Sequence, residues 1–214
     1  MYRKFVKRLL DIVISLIALP FVGLVILVFG PIIYFSDKGP IFYNAPRRGV
    51  NGKIFKMFKL RSMMVNAPVM KNADGSAYSG DNDPRVTRIG RIMRKLSIDE
   101  LPQIINVLLG HMSFVGPRPT LPNIPYEELE EVRKKRLRVR PGITGYSQAY
   151  FRNSIPMEQK FEHDCYYVDH VSFSLDVKIL VQTVLSVLGS RNINYQDSAA
   201  QTAAPDKNDE VHNV

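Results

Sequence analysis

The apolar positions of this chain are unevenly spread, and their spacing divides it into three parts. From Leu9 to Tyr34 they form one long run, broken by Asp11, Pro20 and Pro31. As a single helix these residues reach about 39 Å, enough to cross a hydrocarbon core of roughly 30 Å. Pro20 lacks the N–H that would bond the Leu16 carbonyl, and two legs of about 11 residues each reach roughly 17 Å, half a bilayer. Arg3, Lys4, Lys7 and Arg8 precede the run, and Lys38, Arg47, Arg48, Lys53, Lys56, Lys59 and Arg61 follow it. Basic flanks favour the cytoplasm, and a single crossing would export one of them. The pattern therefore predicts a re-entrant helix-break-helix in the membrane over 1–36, with Asp11 near the entry and Pro31 at the exit. A kinked crossing is the alternative, because proline is common in membrane helices. A cleaved signal peptide fits less well: no A-x-A-like site follows.

From residue 37 to 191 the pattern shortens to that of a small cytoplasmic domain. Pro40-Ile41-Phe42-Tyr43 and Ile54–Arg61 read as strands of a hairpin about Asn51-Gly52, a strong turn signal. Asn66–Asp83 is a polar loop, and its carboxylates lack the spacing of an EF-hand. Val86, Ile89, Ile92, Met93 and Leu96 recur at helical spacing among five cations, which reads as an amphipathic helix against the core or in the membrane interface. Further helices are expected over Asp99–Leu109, ended by Gly110, over Tyr126–Val139 with Glu130–Lys134 and Glu131–Lys135 pairs, over Glu158–Val168, and over Leu175–Leu188. The fold class is α+β, mostly helical. The tail over 192–214 is polar and reads as disordered.

Charge narrows the function. The chain carries +9 at pH 7 over 214 residues, and the last 23 hold a net −3, so the body carries +12. That excess implies an anionic partner: nucleic acid, anionic lipid or a phosphorylated substrate. Aromatics do not interleave with the basic run Arg133–Arg140, which argues against nucleic acid. Cys165 is the only cysteine, so no internal disulfide or cysteine metal cluster exists.

Ser97-Ile98-Asp99-Glu100-Leu101-Pro102-Gln103 is the stretch with chemistry. Ser97 and Glu100 read as a capping box, and Pro102 as a residue near a helix start. Asp99 then lies where free N–H groups keep a carboxylate ionised, able to act as a nucleophile or, with Glu100, to hold a divalent cation. An ordinary acidic cap is the alternative. Gly116-Pro117-Arg118-Pro119 presents one guanidinium on a stiffened backbone, suited to phosphate, or simply a turn with a solvent-facing Arg. Arg140-Pro141-Gly142-Ile143-Thr144-Gly145 is a tight loop whose backbone can approach a phosphate.

Several motifs in order resemble the bacterial sugar transferases, the small monotopic phosphoglycosyl transferases. They are Lys7-Arg8-Leu9-Leu10-Asp11, Lys59-Leu60-Arg61-Ser62-Met63, Asp83–Gly90, Ser97–Gln103, Val115–Pro119, Arg140–Gly145, and Phe161 with Asp164-Cys165-Tyr166-Tyr167. The resemblance runs from about Tyr2 to Gly189. It implies transfer of a phosphosugar from a nucleotide-sugar, usually UDP-linked, to polyprenyl (undecaprenyl) phosphate, with release of UMP, at the cytoplasmic face of the bacterial inner membrane. Carried over, Asp99 attacks the sugar-linked phosphate and forms a covalent intermediate. Glu100 assists in binding Mg²⁺ or in proton handling, Mg²⁺ sits on Asp99 and Glu100, and Arg118 neutralises the phosphate. Lys59, Arg61, Arg94 and Arg140 are further phosphate candidates. Anionic lipid headgroups are expected as partners, and a homodimer is left open. Two departures stand out. Leu19-Pro20 replaces the family's Ser-Pro break, and Tyr146–Asn153 differs from the Gln-Val-Asn-Gly-Arg form of many relatives. The rival class is a membrane-anchored basic module that binds anionic lipid or nucleic acid without chemistry.

Overall fold

The computed structural model describes residues 1–70, 78, 83–152 and 154–188. The expectations for most of the Asn66–Asp83 loop and for the tail from Asn192 fall outside them. A π-helical stretch, Tyr2–Val6, leads into helix α1, Lys7–Asp37. The expected break does not interrupt it: Pro20 and Pro31 both lie inside one continuous helix.

How α1 sits follows from its polar residues. At its start Lys7 Nζ lies 2.5 Å from Asp176, and Arg8 donates to the carbonyls of Val107 (2.6 Å) and Leu108 (2.8 Å). One turn on, Asp11 accepts from Ser113 Oγ and the Phe114 N–H, both at 3.1 Å. At its far end both oxygens of Asp37 meet the Arg61 guanidinium at 2.6 Å. Between them Val25 and Ile33 are buried with Leu60 and Met93. One face of α1 is thus docked on one body from end to end. The other face carries Leu16, Ile17, Phe21, Leu24, Leu27 and Phe35, all more than half exposed.

Strands β1 (Ala45–Arg48) and β2 (Ile54–Met57) form the antiparallel hairpin, with Ala45 opposite Met57 and Arg47 opposite Phe55. The turn follows the sequence signal: Asn51 and Gly52 both have positive φ, 52° and 79°. β1 lies later than the expected strand. Tyr43 still bonds Lys59 across the hairpin, but Phe42 and Leu60 form only an isolated bridge.

Helix α2, Arg88–Lys95, is capped by Thr87 Oγ, which accepts from the Gly90 N–H at 3.0 Å. Its apolar residues split: Met93 is buried, whereas Ile92 and, just past the helix, Leu96 are more than half exposed. A 3₁₀ turn, Ile98–Glu100, precedes helix α3, Gln103–Leu108, which ends before Gly110 at φ 83°.

Strands β3 (Ser113–Val115) and β4 (Gly142–Thr144) pair in parallel. The Pro/Gly pattern over Arg140–Gly145 predicts a loop, whereas Gly142–Thr144 is a strand paired with β3. A Cβ on Gly116 would fall 2.2 Å from the Arg140 carbonyl, and one on Gly142 2.2 Å from the Gly116 nitrogen, so these glycines permit the approach. Helix α4 is Glu131–Arg136, shorter than expected because Glu130 is extended (φ −56°, ψ 150°). Its ion pairs are Glu130–Arg133 and Glu131–Lys134, and Lys135 reaches Asp169 instead. Helices α5 (Tyr146–Tyr150), α6 (Met157–Asp169) and α7 (Phe173–Leu188) complete the body. Val115, Ala149, Tyr167 and Ile179 form the core cluster that joins them to β3.

Candidate active site

The hairpin extension and α3 meet through one buried amide. Asn106 is fully buried, accepts from the Phe58 N–H at 2.8 Å, and donates to the Lys56 carbonyl at 2.8 Å. The Leu60 N–H in turn donates to the Asp99 carbonyl at 2.9 Å. These bonds fix Lys59 against the Asp99 turn. Nothing in the sequence pattern marked Asn106, because a lone Asn within an apolar helix stretch carries no periodic signal.

Asp99 is 1% exposed. Lys59 Nζ lies 2.9 Å from its Oδ2 and 3.3 Å from Glu100 Oε1. That ion pair is the contact of Asp99 Oδ2, which is buried and accepts no hydrogen bond among the described residues. Arg118 reaches Glu100 Oε1 at 3.9 Å from a mostly exposed position. The expected capping box is not there. Ser97 is left-handed, φ 55°, its side chain caps nothing, and Pro102 rather than Ser97 precedes α3. Asp99 is therefore held by Lys59 and by burial, not by a helix N-terminus.

Burial raises the Glu100 carboxyl, and Lys59, Arg118 and Arg94 more than offset this, leaving it below the ordinary glutamate value of 4.5. A depressed carboxyl keeps its charge, and what depends on that charge, until pH falls through the lowered value. The acid limb of kcat/KM that belongs to Glu100 should therefore lie below pH 4.5. A pH profile of Glu100→Gln beside the parent checks this: the substitution should remove that limb and leave any other in place.

The remaining sequence candidates divide. Arg94 Nε donates to Ser62 Oγ at 2.9 Å, near enough to Glu100 to act on its charge. Arg61 is not at the site. It is buried under α1, and besides Asp37 it donates to the carbonyls of Pro40 and Met63. Strand alternation would put residues two apart on one face, but β2 ends at Met57, and past that end Arg61 turns to Asp37 while Lys59 turns to Asp99. Arg140 is also elsewhere, donating to the Gly110 carbonyl at 3.0 Å beyond the C-terminal end of α3.

Two cations that the sequence reading did not select join the group. Arg47 has its guanidinium pushed down by burial and then by the Arg118 charge, with Tyr43 and Glu100 opposing. Lys160 is pushed down by burial and then by Arg118, with Asp164 opposing. A further arginine holds the Arg118 loop. Arg136, 4% exposed, donates to Asp164 at 2.9 and 2.7 Å and to the Arg118 carbonyl at 3.1 Å, while Ser147 donates to the other Asp164 oxygen at 2.7 Å. Arg136 also lies 4.4 Å over the Phe161 ring. The basic-run reading of Arg133–Arg140 as a solvated face concealed this inward member.

Residues 2–190 match the family model described as bacterial sugar transferase. The chain belongs to that family. The family's chain in Bacillus subtilis named uncharacterized sugar transferase EpsL is 42% identical over 188 residues, covering 87% of this chain and 89% of that one. A UDP-N-acetylgalactosamine-undecaprenyl-phosphate N-acetylgalactosaminephosphotransferase of Aeromonas hydrophila is 37% identical over 86% of this chain and 44% of its own. A UDP-glucose:undecaprenyl-phosphate glucose-1-phosphate transferase of Klebsiella pneumoniae is 40% identical over 83% of this chain and 39% of its own. This sugar transferase thus spans most of the first relative and less than half of the other two.

Proposed function

We propose that the protein transfers a sugar phosphate from a UDP-sugar to undecaprenyl phosphate at the cytoplasmic membrane face, as an opening step of surface glycan assembly. The observation that supports it best is Asp99, a buried carboxylate whose Oδ2 meets the Lys59 ammonium at 2.9 Å, with Glu100 beside it. In the first step an Asp99 oxygen bonds to the phosphorus that carries the sugar. The bond from that phosphorus to the nucleotide's phosphate oxygen breaks, and UMP leaves with the electron pair. In the second step an oxygen of the lipid phosphate attacks the same phosphorus, the bond to Asp99 breaks, and the carboxylate returns. Lys59 holds Asp99 charged and oriented, and Arg118 neutralises charge on the phosphate oxygens.

Mg²⁺ suits this donor set. Asp99 and Glu100 are adjacent carboxylates, and Mg²⁺ takes one or two carboxylates with substrate phosphates and water. Bound there, it would add charge neutralisation at the phosphoryl oxygens.

Membrane placement follows from α1. Its apolar outer face asks for lipid, while its inner face is docked at both ends on one body, which keeps Arg8 and Asp37 on the same side. Tags at either terminus should therefore label from the cytoplasmic side in spheroplasts, and an external C-terminus would restore a crossing helix.

The function is tested by purified protein with Mg²⁺, undecaprenyl phosphate and a panel of UDP-sugars. UMP should appear with at least one sugar, up to one equivalent per protein without lipid and over repeated turnovers when lipid is present. No release with any sugar would favour the binding module.

A further inference from the structure

The site holds more positive charge than its two carboxylates require. Lys59, Arg94, Arg118 and Arg47 all act on Glu100, and the Arg118 charge also acts on Lys160. Neither Arg47 nor Lys160 forms an ion pair among the described residues.

Their positions follow from the backbone. Arg47 shares a face of the hairpin with Ala45 and Tyr43, and opposite them stand Phe55, Met57 and Lys59. It therefore projects from the same side as the lysine that holds Asp99. The Arg48 N–H donates to the Thr120 carbonyl at 2.9 Å, which ties the segment after Arg118 to β1. On the other side Lys160 lies one helical turn before Asp164, and Asp164 reaches the Arg118 carbonyl through Arg136. β1 and α6 are thus each tied to the Arg118 loop, and of the cations Arg47, Arg118 and Lys160 only Arg118 has an ion-pair partner among the described residues, Glu100 at 3.9 Å.

We propose that Arg47, Arg118 and Lys160 form a seat for a second phosphate group, the one never bonded to Asp99. This rests on the two-step displacement above. An in-line displacement sends the leaving oxygen out opposite Asp99, and the next attack must enter by the same path. One seat therefore takes the phosphate of the departing nucleoside monophosphate and then the phosphate of the lipid acceptor. The mutual repulsion of the three cations is relieved each time a dianion occupies it.

The experiment has two kinetic arms and one binding arm, with Arg47→Met, Lys160→Met and the conservative Arg47→Lys. The first arm follows exchange of labelled UMP into UDP-sugar without lipid. The second follows lipid-linked product at saturating UDP-sugar. Loss of a charged hydrogen bond should raise the half-saturating concentration of UMP and of undecaprenyl phosphate about ten- to a hundredfold, with a smaller change in the maximal rate. Arg47→Lys should return part of the loss, which a purely structural defect would not allow. The binding arm measures UMP affinity by calorimetry in the Asp99→Asn protein, where no chemistry is required. There too Arg47→Met and Lys160→Met should weaken UMP about ten- to a hundredfold. An effect on one substrate alone, or on neither, overturns the shared seat. Weakened UMP binding without any exchange in the parent protein would instead overturn the displacement and leave an anion site. Exchange in the parent with unchanged UMP binding in both variants would overturn the seat and leave the displacement.

Discussion

Asp99→Asn should bring UMP release to background with every UDP-sugar, a loss on the order of a thousandfold or more. The two side chains have the same shape, so packing around the 1%-exposed position survives. What disappears is the negative oxygen beside Lys59. An amide oxygen does not displace a nucleotide from phosphorus at a useful rate. Glu100 Oε1 remains 3.3 Å from Lys59 and retains the lysine's charge partner, so the variant should fold and melt close to the parent. The measurement is UMP release beside a thermal melt, with a rapid-quench search of the parent for sugar phosphate attached to Asp99. Full turnover by Asp99→Asn would end the covalent scheme.

The second large effect belongs to Arg136. It is buried with Asp164 at 2.7 Å and bonded to the Arg118 carbonyl. Arg136→Met leaves a buried carboxylate with the Ser147 hydroxyl and no ion-pair partner among the described residues, a loss of about 3–5 kcal/mol. For a chain of this size that is a fall in melting temperature of about 6–20 °C. Arg136→Met with Asp164→Leu removes both charges and should recover much of the stability, because the uncompensated ion is gone. It cannot restore the bond to the Arg118 carbonyl. The double variant should thus melt near the parent while its KM for the UDP-sugar stays raised. Equal recovery of melting and KM would show that Arg136 serves the core alone.

The comparison of sequence with structure turns on the range of each signal. Local signals held. Asn51-Gly52 made the hairpin, Gly110 ended α3, and the long apolar run became α1. Proximity in sequence also brought Asp99 and Glu100 together, and the motifs carrying Lys59 and Arg118 brought those two to them. Signals that depend on partners failed. Ser97-x-x-Glu100 has the spelling of a cap, yet Ser97 is left-handed because the chain turns there from α2 toward the site. Arg61 and Lys59 look alike two residues apart, and strand alternation would keep them on one face, but the strand ends at Met57 and the chain beyond it sends one under α1 to Asp37 and the other to Asp99. Pro20 removes one hydrogen bond, and the neighbouring turns still carry the helix through it. Asn106, Arg47 and Lys160 were illegible because their roles come from residues 40 or more positions away.

The contact between Leu60 and α1 sets a depth gauge. Leu60 is wholly buried beneath Val25 and Ile33, its N–H holds the Asp99 carbonyl, and its neighbour Lys59 holds the Asp99 side chain. With α1 in the membrane as proposed, its immersion fixes the height of the carboxylate above the lipid tails. A bilayer that thins or thickens under the outer face of α1 raises or lowers the whole reaction with it.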